Sequence, residues 1–228
     1  MPADAEYHLG ALMYDTVALH RHLGGGPDAV VIGHDWGSFT VNALAAWPDT
    51  PFGRHITMSV PAVAAIAAKQ HRLATMIPMS LRQLRRSWYI LFFQLPRLPE
   101  RLLGRIIPRL WRDWSTPGYD TAAGAAHAAE ALARPANRRA ALSYYRALVR
   151  SPTPSGRYRD LNSHRFAMPR APLLHLQGAA DGAIDVRYAD FLPEFLPPGS
   201  SVQVLPGGHF LQLEQPDEVA EAIGRHAR

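Results

Sequence analysis

Three residues whose side chains could carry out catalysis lie where the chain leaves a short apolar run. Asp35 lies in residues 33–38, which read Gly-His-Asp-Trp-Gly-Ser and follow such a run. Asp181 and His209 each follow a later run, and both lie in glycine-containing segments. An ionised carboxylate can attack carbon, and a histidine oriented by a second acid can take a proton from water. The order along the chain therefore predicts a nucleophile, an acid and a base.

The surroundings of Asp35 predict a nucleophile elbow, the pattern Gly-x-nucleophile-x-Gly between a strand and a helix, with Asp in place of the usual Ser. Because such a turn is strained, bulk at Gly33 or Gly37 is expected to clash with the neighbouring strand or helix. The alternative is that Asp35 only caps the helix, a position where Asp is common. The preceding strand and the flanking glycines favour the elbow.

The acid has two candidates, because Asp181 and Asp185 both follow the same predicted strand. Open α/β sheets build their sites at the carboxyl ends of strands. Asp181 is closer to the strand end and is the preferred acid. His209 is the preferred base because a histidine in a glycine turn after the last strand has little packing role.

Apolar periodicity predicts the elements that position these residues. Helices are predicted over 6–23, 38–47, 186–196 and 217–226, and strands over 29–33, 55–60, 172–178 and 201–205. Wholly apolar, β-branched runs are typical of parallel strands buried on both faces. The alternation of strands and helices predicts an α/β fold with a mostly parallel sheet of about four strands.

A long helical segment, rich in Arg and Ala, interrupts this alternation. Breaks are expected at its prolines, Pro96, Pro108, Pro117 and Pro135. The chain is therefore predicted to have two parts. Residues 1–61 and 166–228 form the α/β core, and residues 62–165 form a helical insertion.

Composition excludes several classes of protein. With 228 residues, 47% of them hydrophobic and 19% charged, the chain can bury a sizeable core and is not disordered. No run approaches the roughly 20 apolar residues of a membrane span, and the acidic start is unlike a signal peptide. A cytoplasmic location is therefore expected. The absence of cysteine excludes disulfides, thiolate nucleophiles and Cys-ligated metals.

No cofactor, metal or nucleic acid is predicted as a partner. The sequence contains no phosphate-binding Gly-x-x-x-x-Gly-Lys motif and no zinc-type histidine spacing. The net charge of +5 comes from 23 Arg and a single Lys, a skew that is typical of a GC-rich genome. The densest arginines, between residues 82 and 112, alternate with apolar residues and are predicted to be solvated helix faces.

The elbow at residues 33–38 resembles the Gly-His-Asp-Trp-Gly-Gly/Ser elbow of α/β-hydrolase-fold epoxide hydrolases, and haloalkane dehalogenases have a similar one. The resemblance spans essentially the whole chain, including the Gly-Gly-His-Phe end and the insertion, which resembles the family's cap. It implies an α/β-hydrolase fold and the opening of a small apolar epoxide to a diol. An ester on Asp35 would form first, and His209 with Asp181 would then activate water.

Two cap segments bear on the choice between the two families. Residues 87–94 and 142–146 resemble the epoxide hydrolase segments that carry ring-opening tyrosines, which fall on Tyr89 and Tyr145. Two phenols can protonate the epoxide oxygen, whereas a halide needs N–H donors such as the Trp36 indole. The tyrosines favour the epoxide hydrolase, and the haloalkane dehalogenase is the alternative. On its own, either tyrosine could simply be a packing residue.

The family's oxyanion donors are matched only in part. The resemblance implies Trp36, through its backbone N–H, and His34 as oxyanion or substrate-binding residues. The second donor normally follows a His-Gly-x-Pro loop, which this sequence lacks, together with the family's first strands. The sheet is therefore expected to be N-terminally incomplete, and its exposed apolar edge is expected to self-associate. An inactive truncated relative or a ligand-binding pseudo-enzyme is the alternative from another class.

Overall fold

The computed structural model describes residues 6–69 and 73–227, and within them the chain forms one parallel sheet. Its strands are β1 (Val30–His34), β2 (Arg54–Met58), β3 (Leu173–Gly178) and β4 (Ser201–Leu205). They are ordered β1-β2-β3-β4, and every neighbouring pair is parallel. Parallel neighbours need crossover connections, which the helices supply. The predicted α/β class and four-stranded sheet are confirmed.

Helices fill the connections between the strands. The core-flanking helices are α1 (Leu9–His22), α2 (Trp36–Ala46), α10 (Tyr188–Phe191), α11 (Leu211–Glu214) and α12 (Pro216–His226). Between β2 and β3 lie α3 (Val63–Lys69), α4 (Leu73–Arg86), α5 (Trp88–Phe92), α6 (Leu98–Trp114), α7 (Ala122–Ala131), α8 (Pro135–Arg150) and α9 (Arg159–Ser163). None of these helices has both the length and the apolar character of a membrane span.

The prediction of a break at Pro108 is wrong, because α6 runs through this residue without interruption. An internal proline removes one helical hydrogen bond and crowds the preceding turn. In α6 the apolar face, which buries Leu103, Ile107 and Leu110, offsets that cost. The breaks at Pro96, Pro117 and Pro135 are confirmed, since each lies at or beside a helix end.

Two other predicted helices differ from the structure at their ends. The helix predicted over 38–47 begins earlier, at Trp36, because the turn at Asp35 leads directly into it. The helix predicted over 186–196 is only α10, followed by a 3₁₀ turn at Leu192–Glu194. Pro193, which has no N–H to donate, lies in that tighter turn.

The sheet packs against the C-terminal helices through a buried apolar cluster. Ile56 of β2 and Leu174 and Leu176 of β3 meet Val219 and Ala222 of α12. A second cluster, which includes Met13, Leu44 and Leu161, joins α1, α2 and α9. The first cluster holds β2 and β3 in place, and the second holds α2, the helix that follows Asp35.

The helical region between β2 and β3 has an apolar cluster of its own. Its buried members come mainly from α5, α6 and α8, but Ala183 and Phe210, which follow β3 and β4, also belong to it. The boundary between a core and a cap at residues 62 and 165 stays a prediction. Residues 1–5, 70–72 and 228 of that division lie outside the described residues.

Strand β1 forms one edge of the described sheet, and its side chains alternate between buried and exposed. Val30 and Ile32 are 37% and 46% exposed, whereas Val31 is buried. An apolar edge strand is a template for pairing with another chain. Self-association through this edge stays a prediction.

Candidate active site

The elbow places Asp35 between the end of β1 and the first turn of α2. Its backbone has φ 53° and ψ −113°, a conformation that costs a residue with a side chain about 1–3 kcal/mol. The Asp35 N–H donates to the carbonyl of Met58 at 3.3 Å, which ties the turn to β2. A β-carbon at Gly33 would overlap the backbone of Gly37. The turn therefore closes only because Gly33 has no side chain.

The expectation of a clash at Gly37 is wrong. A β-carbon at this position meets no atom of the described residues within 4 Å. Gly37 lies in the first turn of α2, where its side-chain position faces open space rather than the neighbouring strand. Of the two elbow glycines, Gly33 is the one required by close backbone approach.

This difference predicts opposite effects for two neighbouring substitutions. Gly33→Ala is expected to lower the free energy of unfolding by about 3 kcal/mol, because the elbow backbone must move. Gly37→Ala is expected to leave it unchanged or raise it by up to about 1 kcal/mol, since alanine suits a helix better than glycine. Urea unfolding of both variants measures these values. Equal destabilisation of both would contradict the asymmetry.

The Asp35 carboxylate makes no capping hydrogen bond to α2 and instead meets His209. Nε2 of His209 lies 3.2 Å from Oδ1 of Asp35, whose side chain is 29% exposed. Burial alone raises the pKa of Asp35, but hydrogen bonding and positive charge from His209, helped by His34, outweigh it. The net pKa is lowered, so the carboxylate stays ionised and available.

Asp181 holds the other side of the His209 ring. Nδ1 of His209 lies 3.0 and 3.2 Å from the two carboxylate oxygens of Asp181. Oδ1 of Asp181 also accepts from the N–H groups of Ala183 and Ile184, at 2.8 and 2.9 Å. Oδ2 accepts from the side-chain amide of Gln177 at 2.9 Å. The carboxylate is thus fixed by donors on both oxygens.

Asp185, the alternative acid, is engaged elsewhere. Its carboxylate accepts from the guanidinium of Arg187 at 2.7 and 2.9 Å. That hydrogen bonding and charge lower the pKa of Asp185, against a smaller opposing effect of burial. Of the two acids, it is Asp181 that the structure brings to His209.

The pKa of His209 reflects the two acids beside it. Burial alone lowers it, but the charge and hydrogen bonding of Asp181, followed by those of Asp35, raise it to about 10. The imidazole is therefore protonated at neutral pH while both carboxylates are charged. It becomes more readily deprotonated when either charge is removed.

His34 contacts the backbone of His209. Its Nε2 donates to the His209 carbonyl at 2.8 Å, and the Ser59 hydroxyl donates to the same oxygen at 2.7 Å. Burial and the positive charge of His209 lower the pKa of His34. The structure therefore places His34 where it supports the backbone of His209, and its binding of an oxyanion or substrate stays a prediction.

Glu214, at the end of α11, also orders the loop of the base. Its carboxylate accepts from the N–H groups of Gly208 at 2.9 Å and Phe210 at 3.2 Å, on either side of His209. It also accepts from Thr116 at 2.9 Å, in the segment after α6. Sequence reasoning missed this residue, although an acid five residues after the base in a short helical turn was a usable signal.

Tyr89 of α5 and Tyr145 of α8 lie together near the elbow. The ring centres of Tyr89 and Tyr145 are 5.7 Å apart, and Tyr145 lies 5.2 Å from the ring of Trp36. Burial raises the pKa of both phenols, and the charge of Asp35 adds to the rise in each. Hydrogen bonding from the Trp36 side chain opposes that rise at Tyr145. Both hydroxyls are therefore protonated at neutral pH.

An apolar cavity of about 420 Å³ lies beside these residues. Trp36 and Tyr145 line it together with aliphatic and aromatic side chains of α6 and α8. Trp114, another lining residue, lies 5.1 Å from the His209 ring, measured between ring centres. Tyr89 packs behind Tyr145 and Trp114 rather than in the lining. The cavity can hold a small apolar molecule next to the elbow.

A parallel sheet with an acid on a strand-to-helix elbow, and a histidine and second acid after later strands, defines an α/β-hydrolase architecture. The alpha/beta hydrolase family profile matches residues 2–222, and the chain belongs to this family.

Individual relatives have low sequence identity to this chain. The AB hydrolase superfamily protein YfhM of Bacillus subtilis (strain 168) is 26% identical over 205 residues, which are 86% of this chain and 64% of that protein. The chain thus spans less than two thirds of this relative's length.

Two solved structures show the same fold. One, from Klebsiella pneumoniae subsp. pneumoniae MGH 78578, is described as a candidate epoxide hydrolase. It has a TM-score of 0.78 and 22% identity, over 98% of this chain and 74% of its own. The other, from Salmonella enterica, is described as a candidate acyltransferase, with a TM-score of 0.73 and 20% identity over 96% and 70%. At these identities the likeness concerns the fold alone.

Proposed function

We propose that this protein is an epoxide hydrolase that forms a covalent ester on Asp35. The observation that carries the proposal is the elbow carboxylate, which contacts His209 on one side and lies near two protonated phenols and an apolar cavity. The description of the Klebsiella structure agrees with this activity. We also infer that the helical segment 62–165 acts as the cap that closes over the substrate.

In the first step, a carboxylate oxygen of Asp35 attacks a ring carbon of the epoxide. The carbon–oxygen bond of the ring breaks as the ester bond forms, and the ring oxygen takes a proton from Tyr89 or Tyr145. Phenols with raised pKa values stay protonated until the alkoxide develops, which is the condition for a general acid. The lowered pKa of Asp35 keeps the nucleophile charged.

In the second step, His209 takes a proton from water, and the hydroxide attacks the ester carbonyl of Asp35. The ester carries no charge, so one of the two acids that raise the pKa of His209 is neutralised. The pKa of His209 then falls, so the ring releases its proton, which restores the phenol that protonated the epoxide oxygen. The neutral imidazole then acts as the base, with Asp181 stabilising its charged form. The backbone N–H of Trp36 is proposed to receive the oxyanion before the ester breaks and the diol leaves.

Two alternatives remain distinct in their chemistry. A haloalkane dehalogenase would use the same Asp35 ester, but its leaving halide would need N–H donors rather than phenols. The two tyrosines close to the elbow favour the epoxide. A pseudo-enzyme would bind an apolar ligand in the cavity without forming an ester. The hydrogen bond between Asp35 and His209 favours the enzyme over the pseudo-enzyme.

Turnover of matched substrates tests the proposal. A small apolar epoxide and the chloroalkane and bromoalkane of the same carbon skeleton are compared, with Asp35→Asn as the control. We expect diol formation at least about a hundredfold above the control, because the nucleophile is essential, and only slight halide release. Fast halide release would favour the dehalogenase. Epoxide binding without turnover would favour the pseudo-enzyme.

A further inference from the structure

Strand β3 carries two polar residues on one face, although every residue of the strand is buried. His175 is 1% and Gln177 is 0% exposed, and they are two residues apart, so both point to the same side of the sheet. Leu174 and Leu176 occupy the other side. A buried polar side chain is costly unless it is hydrogen-bonded. The hydrogen bonds of these two residues lead to the candidate active site.

A continuous chain of hydrogen bonds runs from β2 to Asp181. The hydroxyl of Thr57 lies 3.0 Å from Nδ1 of His175, which is its register partner on the neighbouring strand. Nε2 of His175 lies 3.3 Å from Oε1 of Gln177. The amide nitrogen of Gln177 lies 2.9 Å from Oδ2 of Asp181. The chain continues through His209 to Asp35.

The proton positions between Thr57 and Asp181 follow from the Asp181 carboxylate. An ionised carboxylate only accepts hydrogen bonds, so Gln177 must turn its NH₂ group to Asp181. Its carbonyl oxygen then needs a donor, which is Nε2–H of His175. Nδ1 of His175 is therefore unprotonated and accepts from the Thr57 hydroxyl at 3.0 Å, the shorter of that hydroxyl's two contacts, the other being the Leu174 carbonyl at 3.3 Å. Burial lowers the pKa of His175 to about 4, which agrees with a neutral ring.

We propose that Gln177 and His175 are positioning residues that orient Asp181 and withdraw charge from it. Each donor in the chain strengthens the next, so the Gln177 amide disperses the charge of Asp181. A carboxylate whose charge is dispersed in this way stabilises the protonated form of His209 less strongly. The base is then free to deprotonate water once Asp35 is esterified. The kinetic consequence of this inference rests on the proposed function. The expected effect on the pKa of the His209 ring does not.

The other titratable or charged groups near this network must be the same in the two proteins that any test compares. Asp35 and His34 act on His209 from the elbow and β1, and Tyr89 from α5 lies in the field of Asp181. The guanidinium of Arg86 in α4 donates to the backbone carbonyl of Asp181 at 3.0 Å, not to its carboxylate. None of these residues is changed by substitutions at 175 or 177.

Gln177→Met removes the donor and keeps the approximate volume. The charge of Asp181 is then no longer dispersed by the Gln177 amide, so the pKa of His209 in the ester should rise by about one unit. That rise slows ester hydrolysis about tenfold at pH 7. The loss should disappear at high pH, where the ring is deprotonated in both proteins. A purely structural role would instead lower the rate by the same factor at every pH.

Gln177→Glu and changes at His175 give independent support. The carboxyl introduced by Gln177→Glu donates to Asp181 only while protonated, so the rate should match the wild type at low pH and fall as the carboxyl ionises. His175→Gln keeps a donor for Gln177, whereas His175→Leu removes it and should repeat the effect of Gln177→Met. His55→Leu is the matched control, because His55 is equally buried on β2 but bonds to Thr50 instead.

The decisive measurement needs no substrate. In the Asp35→Asn protein, which imitates the neutral ester, the titration midpoint of the His209 ring is followed by NMR. Adding Gln177→Met should raise that midpoint by about one unit, and adding His55→Leu should not move it. An unchanged midpoint would overturn the proposal even if the enzyme opens epoxides. A raised midpoint in a protein that forms no ester would uphold the network and reject the proposed function.

Discussion

His209→Gln is expected to leave a protein that is alkylated on Asp35 but releases diol about 10²–10⁴-fold more slowly. The nucleophile is a carboxylate and needs no base for its attack on the epoxide. Hydrolysis of the resulting ester does need one, and general base catalysis is worth about 10²–10⁴-fold. His209 is the imidazole that hydrogen-bonds to Asp35, whereas Nε2 of His34 bonds to the His209 carbonyl, so the substitution removes the base that lies in contact with the ester position.

The trapped ester has a direct signature in the intact mass of the protein. Incubation of the His209→Gln variant with excess epoxide should add the mass of one substrate, and peptide mapping should place it on Asp35. The double variant with Asp35→Asn should add no mass, and His55→Gln should turn over like the wild type. A His209→Gln protein that binds the epoxide but gains no mass would refute the covalent mechanism.

Alkylation of Asp35 is expected to depend on pH differently in the wild type and in His209→Gln. In the wild type, the hydrogen bond and charge of His209 hold the pKa of Asp35 below its ordinary value, so alkylation persists until the pH falls through that lowered pKa. In His209→Gln the opposing effect of burial remains while the charge of His209 is gone. The pKa of Asp35 should rise, and alkylation should be lost at a higher pH than in the wild type.

The sequence was sufficient to predict which three side chains come together, because of how parallel sheets are built. Asp35, Asp181 and His209 each follow a strand, and the carboxyl ends of parallel strands meet at one edge of the sheet. The need for glycine at position 33 followed equally from the local turn. These features depend on a few neighbouring residues and on strand direction, which a pattern records well.

The supporting contacts depend on strand register and on packing between distant segments, which no local pattern encodes. Nothing in the sequence pairs Thr57 with His175, and only that pairing reveals the chain to Asp181. The open space at Gly37 and the unbroken helix at Pro108 likewise depend on what lies opposite each residue. The sequence does show two polar residues, His175 and Gln177, on one face of an otherwise apolar strand. That pattern indicates that they need hydrogen-bond partners, but it does not identify those partners.

Removing both cap phenols is expected to slow ring opening by about 10²–10⁴-fold, because the alkoxide would then form without a proton donor. Tyr89→Phe or Tyr145→Phe alone should have a smaller effect, since one phenol remains. Tyr188→Phe is the matched control. Burial also raises the pKa of Tyr188, but it packs against Phe191, away from Tyr89 and Tyr145.

The step is isolated by measuring the rate of Asp35 alkylation in the His209→Gln protein, where ester hydrolysis no longer contributes. There the double tyrosine variant should accumulate adduct far more slowly with an epoxide. With a bromoalkane of the same skeleton, any alkylation should be unchanged by the same substitutions, because bromide leaves without a proton. An equal loss with both substrates would mean that the phenols only shape the cavity. No loss with either would remove the argument for epoxides over haloalkanes.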